Sequence, residues 1–440
     1  MEIKRDIITQ LKDWKNSPRR KPLVLQGARQ VGKSWILKRF GAECYADTLY
    51  INFDTMPAWK EDFKRTKEPK KLLETLSAVS GKAIDADNTL IILDEIQECN
   101  DALNCLKYFC EETPQYSIVC AGSLLGVALN RAGASFPVGK VDFMTLRPVT
   151  FSEYLNAIEP ELFNAYTGIT TISTIPEVLH QRLNDAYKVY LALGGMPEAV
   201  SEYGETRDWT IVTSIQQAIL QAYRLDFSKH INNKDIPRVF QVWENLQDQL
   251  AREDKKFRYA DIKQGARARE YEAAIEWLCM AGLVHRVFAV ETPRLPLSAY
   301  KKSNAFKLYM CDVGLLCRKF DLDPGTALQG NRLFTEFKGV LSENFVLQSL
   351  ANQFGERLFY WTSGNTAEVE FILHLQGNII PIEVKAEHNI KAKSLAFYRK
   401  TYLPHVAVRL STLNMRKDDD LLNIPLYMAD KIKMLLESEV

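Results

Sequence analysis

The chain has little of what would fix its chemistry or compartment from composition alone. Its eight cysteines form no C-x-x-C pair, and Cys99, Cys105, Cys110 and Cys120 fall in apolar stretches. Thiols placed this way read as small buried residues, which excludes a disulfide-stapled scaffold and a zinc ribbon. Six histidines are scattered, with only His374 and His388 near a cluster of acids. The net charge of +1 gives no overall pull toward nucleic acid or membrane, so any such contact must use a local patch. No apolar run approaches the length of a membrane-spanning helix, and the opening Met1-Glu2-Ile3-Lys4-Arg5-Asp6 lacks the apolar core of a secretion signal. A cytoplasmic location and no membrane partner are therefore expected. Internal repeats and low-complexity tracts are also missing.

What is present is enough chain for several cores. At 440 residues, with 46% hydrophobic and 25% charged positions, two to four domains fit. The most informative stretch is Gly27-Ala28-Arg29-Gln30-Val31-Gly32-Lys33-Ser34, which fits the phosphate-loop pattern G-x-x-x-x-G-K-[ST]. It lies between the apolar run Pro22-Leu23-Val24-Leu25-Gln26 and a segment of helical spacing from Ser34 to Phe40, the context the chemistry requires. Glycines let successive backbone N–H groups curl around a polyphosphate at a helix N-terminus. Lys33 then reaches the outer phosphates, and Ser34 offers its hydroxyl to Mg²⁺. ATP and Mg²⁺ are the expected cofactors, with ADP as product.

A second apolar run, Leu90-Ile91-Ile92-Leu93, ends in Asp94-Glu95. This is the pattern of a buried parallel strand with carboxylates at its C-terminal end, where open α/β sheets bind ligands. Asp94 is placed to hold Mg²⁺ through water and Glu95 to polarise the water attacking the γ-phosphate. A third strand, from Tyr116, ends at Ser123, whose hydroxyl is placed to sense the γ-phosphate or the attacking water.

The ordering of GARQVGKS, LIILDEIQ, AGSLLG, LRPVTFSEYL and GGMPEAV resembles the AAA-type ATPases of bacteria and archaea whose C-terminal half is known only as a domain of unknown function. The resemblance spans nearly the whole chain. It implies that Gly32, Lys33, Ser34, Asp94 and Glu95 carry ATP binding and hydrolysis, aided by a basic residue that a second copy of the chain could supply. This sequence departs there, because Gly139-Lys140 stands where glycine-arginine is expected and no sensor arginine precedes Gly194-Gly195. A lysine is a point charge without the planar fork of arginine, so slow turnover, with ATP acting as a switch, is expected.

The fold expected is α/β and multidomain. It comprises a P-loop AAA-type ATPase with a helical lid over 1–205, a helical and winged helix-turn-helix region over 206–325, and a small α/β domain over 326–440. In the middle region, Tyr259 to Ile262, a turn at Gln264-Gly265 and a helical stretch closed by Gly282 give a helix-turn-helix order. Two strand-like runs, Leu283 to Phe288 and Ala305 to Met310, follow as a wing, and the resemblance implies a winged helix at this position too. Between Ala251 and Glu270, Arg252, Lys255, Lys256, Arg258, Lys263, Arg267 and Arg269 outnumber Glu253, Asp254, Asp261 and Glu270. With Lys301 and Lys302 at the wing tip, these make DNA a candidate partner, against a packing role for the same module.

The C-terminal region holds three strand-like runs, 359–362, 367–373 and 379–385, the last two joined by a Gly377-Asn378 turn. Period-two alternation puts Glu383 and Lys385 on one face, with Glu370 on the neighbouring strand and Glu343 on a preceding helix over 339–352. Three carboxylates and a lysine on an apolar sheet are costly unless they bind a cation. Together they resemble the restriction-endonuclease-like core. That resemblance implies Glu370 and Glu383 as Mg²⁺ ligands, Glu343 as an additional acid, and Lys385 orienting the hydroxide that attacks a phosphodiester. Glu370 stands where aspartate is usual, which sets nucleolysis against a rival reading, an ATP-controlled switch whose nuclease-like domain only binds a protein or nucleic acid.

Overall fold

The structure, a computed structural model, describes residues 1–122, 139–231, 235–324, 332–364, 366–386 and 393–439. The chain forms two compact units. One comprises Arg5–Arg147 with Met280–Leu283, and the other comprises Met1–Lys4, Pro148–Cys279 and Val284–Val440. Ser123 and His388 lie outside the described residues.

The first unit is a parallel sheet of β1 (Leu23–Gln26), β2 (Asp47–Asn52), β3 (Thr89–Asp94), β4 (Ser117–Ala121) and β5 (Asp142–Thr145), in the order β2-β3-β4-β1-β5. Position in the sheet explains the sequence pattern. Every residue of β3 and β4 is buried, as continuous apolar runs require, whereas the edge strands β2 and β5 alternate. The helices Lys33–Cys44, Ala58–Arg65, Pro69–Ser80 and Asn100–Glu112 connect the strands. Ile51, Phe53, Phe63, Leu72, Ile91, Leu93, Leu103, Leu106 and Phe109 form much of the core between them. All eight cysteines are free thiols.

In the second unit a helical region precedes an eight-stranded mixed sheet. The LRPVTFSEYL motif begins the helix Phe151–Ile158 with a capping box: the Glu153 N–H donates to Thr150 Oγ1 at 3.1 Å, and the Thr150 N–H donates to Glu153 Oε2 at 2.9 Å. The GGMP motif ends the helix Glu177–Leu193 and docks on the same turn, where the Val149 N–H donates to Gly195 O at 2.7 Å. Gly194, at φ +71°, has no room for a side chain, since a Cβ would lie 2.3 Å from Asp312 Oδ1. Asp312 also accepts the Gly195 N–H at 2.6 Å and caps the helix Val313–Lys319. Burial pushes its carboxyl up to about 6 against these backbone donors.

The sheet contains β6 (Val284–Val290), β7 (Lys301–Met310), β8 (Phe359–Thr362), β9 (Glu368–Leu375), β10 (Asn378–Lys385), β11 (Ala407–Ser411), β12 (Arg416–Asp418) and β13 (Leu421–Pro425). Its order is β12-β13-β11-β10-β9-β8-β6-β7. The β9–β10 hairpin turns through Gln376 and Gly377, both at positive φ, the backbone a tight two-residue connection needs. Strand pairing joins segments on either side of residue 325. β6 and β7, expected as a separate wing, pair with each other, and β6 runs parallel to β8 with Phe288, Ala289 and Val290 opposite Phe359, Tyr360 and Trp361. Residues 284–310 and 359–425 thus share one sheet. Among the described residues no helix is long and apolar enough to cross a membrane.

Candidate functional site

The phosphate loop leaves β1 and enters the helix Lys33–Cys44 through a backbone few residues adopt. Gly27 (φ +146°), Gln30 (φ +66°) and Gly32 (φ +93°) all lie at positive φ, and a Cβ on Gly27 would meet Leu146 O at 2.1 Å. The loop therefore curls tightly enough to turn its amides inward. Lys33 heads the helix, 8% exposed, and its Nζ donates to Gly27 O at 3.0 Å and Ala28 O at 2.8 Å. Burial lowers its ammonium to about 8, partly offset by Glu95 and Asp94, while Arg29 lowers it further. Ser34 follows in the first helical turn. Arg5 buttresses the loop, its guanidinium donating to Val31 O at 3.2 Å and Arg147 O at 2.6 Å.

Asp94 ends β3 almost fully buried. Its Oδ1 accepts the Glu95 N–H at 3.0 Å and its Oδ2 accepts the Tyr50 hydroxyl at 2.6 Å. Burial and this bond raise Tyr50 to about 12, so it stays a donor at neutral pH. Lys38 Nζ lies 3.8 Å from the Tyr50 ring centroid. Glu95 takes a left-handed backbone (φ +49°), which turns the chain sharply where the strand ends, and Gln97 donates to its carboxylate. A hydroxyl on Ser34 and a fixed carboxylate on Asp94 are hard oxygen donors that suit Mg²⁺. Lys140, found where the resemblance expects arginine, pairs with Glu111 at 2.8 Å. Arg5 and Tyr50 were not foreseen. Tyr50 carries only a weak signal, a polar-tipped aromatic alternating with Leu49 and Ile51.

In the second unit Glu343, Glu370, Glu383 and Lys385 are brought together, with companions the sequence reading missed. Lys385 Nζ lies 3.3 Å from Glu383 Oε1, as alternation on β10 requires. Glu370 sits where β9 and β10 part beyond the pair Phe371–Ile382, and its Oε2 accepts the Val384 N–H at 3.2 Å. Burial raises its carboxyl to about 7, reinforced by Glu343 and Glu383 and opposed by Lys385 and Lys307. Glu343, on the helix Arg332–Phe354, accepts from Lys255 Nζ at 2.7 Å and from the Tyr309 hydroxyl at 3.2 Å. Burial opposes its ionisation, but Lys255 and Lys307 prevail and hold it below the usual carboxylate range. Lys307, in the buried half of β7, contacts Glu368 at 2.5 Å. A cavity of about 720 Å³ is lined by Glu368, Glu370 and Lys385 together with Arg252, Glu253, Asp254, Lys256 and Arg258.

Among the described residues no group of three His, Cys, Asp or Glu side chains is arranged to hold a metal ion. Lysines 255, 307 and 385 are interleaved with the acids and neutralise them. Lys255, expected to face DNA, is instead 13% exposed with its ammonium on Glu343. Lys256 lies 3.7 Å from Glu368, and Lys302 pairs with Glu291 at 2.9 Å, so part of the local basic surplus is answered within the unit. A lysine in the centre of the apolar run Phe306-Lys307-Leu308 was the available signal for a buried partner.

Residues 19–155 match the model of the AAA domain, and residues 184–326 and 338–427 match two domains of unknown function, DUF8612 and DUF4143. No curated protein matches the chain. Among solved structures, the chain is similar to a Walker-type ATPase of Pyrococcus abyssi, at 16% identity over 72% of this chain and 96% of that one, with a TM-score of 0.45. It is also similar to RuvB of Thermotoga maritima, at 12% identity over 66% of this chain and 90% of that one, with a TM-score of 0.32. The ORC2 protein of Aeropyrum pernix in its ADP form matches at 10% identity over 75% of this chain and 95% of that one, also with a TM-score of 0.32.

Proposed function

We propose that the chain binds Mg²⁺–ATP on residues 27–34, hydrolyses it with Glu95 as the base, and uses nucleotide state as a switch on the second unit. The observation that carries this reading is the surroundings of Lys33, a buried ammonium at a helix N-terminus that feels Asp94, Glu95 and Arg29. The loop amides and Lys33 would hold the phosphates, and Ser34 and Asp94 would hold the ion, whose charge would offset that of the polyphosphate. Glu95 takes the proton of the attacking water. Tyr50 keeps the Asp94 carboxylate in one plane. Calorimetric ATP titration and phosphate release with and without Mg²⁺, on the full chain and on Lys33→Ala and Glu95→Gln, test this. Normal turnover in either variant overturns the assignment.

A second reading, Mg²⁺-dependent phosphodiester cleavage in the second unit, is supported by one observation: Lys385 Nζ lies 3.3 Å from Glu383 Oε1, and Glu370 feels both. The interleaved lysines favour binding over cleavage. A Mn²⁺-dependent cleavage assay on single- and double-stranded DNA and RNA, with Glu383→Gln/Lys385→Ala as the control, decides between them.

A further inference from the structure

The compact unit of the phosphate loop consists of Arg5–Arg147 and one short stretch from far along the chain, Met280–Leu283. These four residues make the turn between the helix Ala268–Met280 and β6. Ala281 and Leu283 are both buried, and Gly282 between them lies at φ +72°. Helix ends commonly use glycine in this left-handed conformation, so the backbone alone would account for the residue. Its surroundings ask for more. A Cβ on Gly282 would lie 3.2 Å from Ala28 N and 3.6 Å from both Ala28 Cα and Gly27 C. The turn therefore rests on the backbone of the phosphate loop, at the peptide that joins the loop's first two residues.

Gly81, in the same unit, shows what capping alone requires. It ends the helix Pro69–Ser80 at φ +67°, and a Cβ there would meet nothing within 4 Å. Gly282 shares that backbone, but its missing side chain also makes room for the loop. The peptide it touches bears on Lys33, whose Nζ donates to Gly27 O and Ala28 O. Little slack exists around that peptide. Leu146 O fills the space beside Gly27, the Leu146 N–H donates to Gln26 O at 2.8 Å, and Val31 is buried.

We propose that Gly282 is a positioning residue of the phosphate loop, and that the turn Met280–Leu283 is the seat on which Gly27 and Ala28 rest while the loop closes on a polyphosphate. The inference rests on the reading that this loop binds ATP. Gly282 acts through the backbone of Gly27 and Ala28, without itself meeting the nucleotide. A methyl group at residue 282 forces Ala28 to give by a few tenths of an ångström. An empty loop absorbs that shift more readily than one whose successive amides must all meet phosphate oxygens, so the effect falls on binding.

The experiment is calorimetric titration of the full chain with Mg²⁺–ATP, comparing the parent with Gly282→Ala and Gly81→Ala. Both substitutions place alanine at a similar left-handed φ, and only the first adds a contact with the loop. Gly282→Ala is expected to bind ATP about tenfold more weakly, a loss of the size that overpacking against a fixed backbone produces, and Gly81→Ala to match the parent. In phosphate release the Gly282→Ala loss should appear in KM, with turnover at saturating ATP near the parent's, since Lys33, Ser34 and Glu95 are untouched. Equal ATP affinity in the parent and a folded Gly282→Ala overturns the proposal, as does an equal loss in Gly81→Ala or a loss confined to turnover. A parent that binds no ATP overturns the nucleotide reading itself and this inference with it. Should Gly282→Ala not fold, the parent decides. Hydrogen exchange at residues 281–284 should slow at saturating Mg²⁺–ATP, and unchanged exchange there overturns the proposal equally.

Discussion

Each unit buries a lysine in its candidate site, and the two lysines shift in opposite directions. Lys33 is lowered to about 8 because burial outweighs the pull of Glu95 and Asp94. Lys307, 1% exposed, also meets burial first, yet Glu368, Glu343 and Glu370 overcome it and raise the ammonium above its ordinary value. The difference lies in what touches the nitrogen. Lys33 donates to two backbone carbonyls, which carry only partial charge, whereas Lys307 sits on a full carboxylate. A buried cation on dipoles is short of counter-charge and suits a polyanion. A buried cation inside an acid cluster is already answered.

Four outcomes would break or sharpen this contrast. The largest concerns the ATPase unit, where Glu95→Gln should lower turnover by roughly 10²- to 10⁴-fold while ATP binding persists, as loss of a general base does. Steady-state phosphate release beside ATP titration measures both. Lys33→Met should cost about 10²- to 10³-fold in turnover, with weakened ATP affinity as well, because a charge aimed at the phosphates is lost. Retained affinity would show that the backbone loop alone holds the nucleotide.

In the second unit, Glu343→Gln leaves Lys255 buried without its partner and should cost on the order of 3 kcal/mol, seen as a melting temperature lower by about 5–10 °C. Differential scanning calorimetry gives the shift, and a loss below about 1 kcal/mol would reduce the pair to a surface contact. The smallest effect concerns pH. The carboxyl of Glu370 is raised from 4.5 to about 7 by folding, so its contribution to stability is fully present below pH 4.5 and is lost as pH rises through 7. Glu370→Gln should flatten the fall in melting temperature between those values, and an unchanged slope would assign it to Asp312 or another raised carboxyl.

The phosphate loop was legible because its chemistry is contiguous: eight residues in a row set the backbone, the cation and the hydroxyl. Asp94 and Glu95 were legible because a central parallel strand must be apolar throughout, so acids at its end stand out. Alternation on β10 likewise put Glu383 beside Lys385, and the structure makes them an ion pair. What stayed hidden depends on pairing between distant strands. The parallel contact of β6 with β8 joins segments about 70 residues apart, and no local spacing encodes it. Without that contact Lys307 looked like a wing residue and Lys255 like a surface charge. Folding brings Lys255 to Glu343 and Lys307 to Glu368.

The β6–β8 pairing also governs which pieces of this protein can live apart. A polypeptide started at residue 326 would carry β8 without β6, leaving Phe359, Tyr360, Trp361 and Thr362, all buried in the whole chain, along an open strand edge. Unsatisfied amides beside a flat aromatic ridge are a template for intermolecular pairing, so such a fragment should self-associate into aggregates. A fragment that begins ahead of β6 and keeps the β6–β7 hairpin covers that edge. For expression, crystallisation or display of the acid–lysine cluster by itself, solubility is decided at β6, which begins at Val284, well upstream of residue 326.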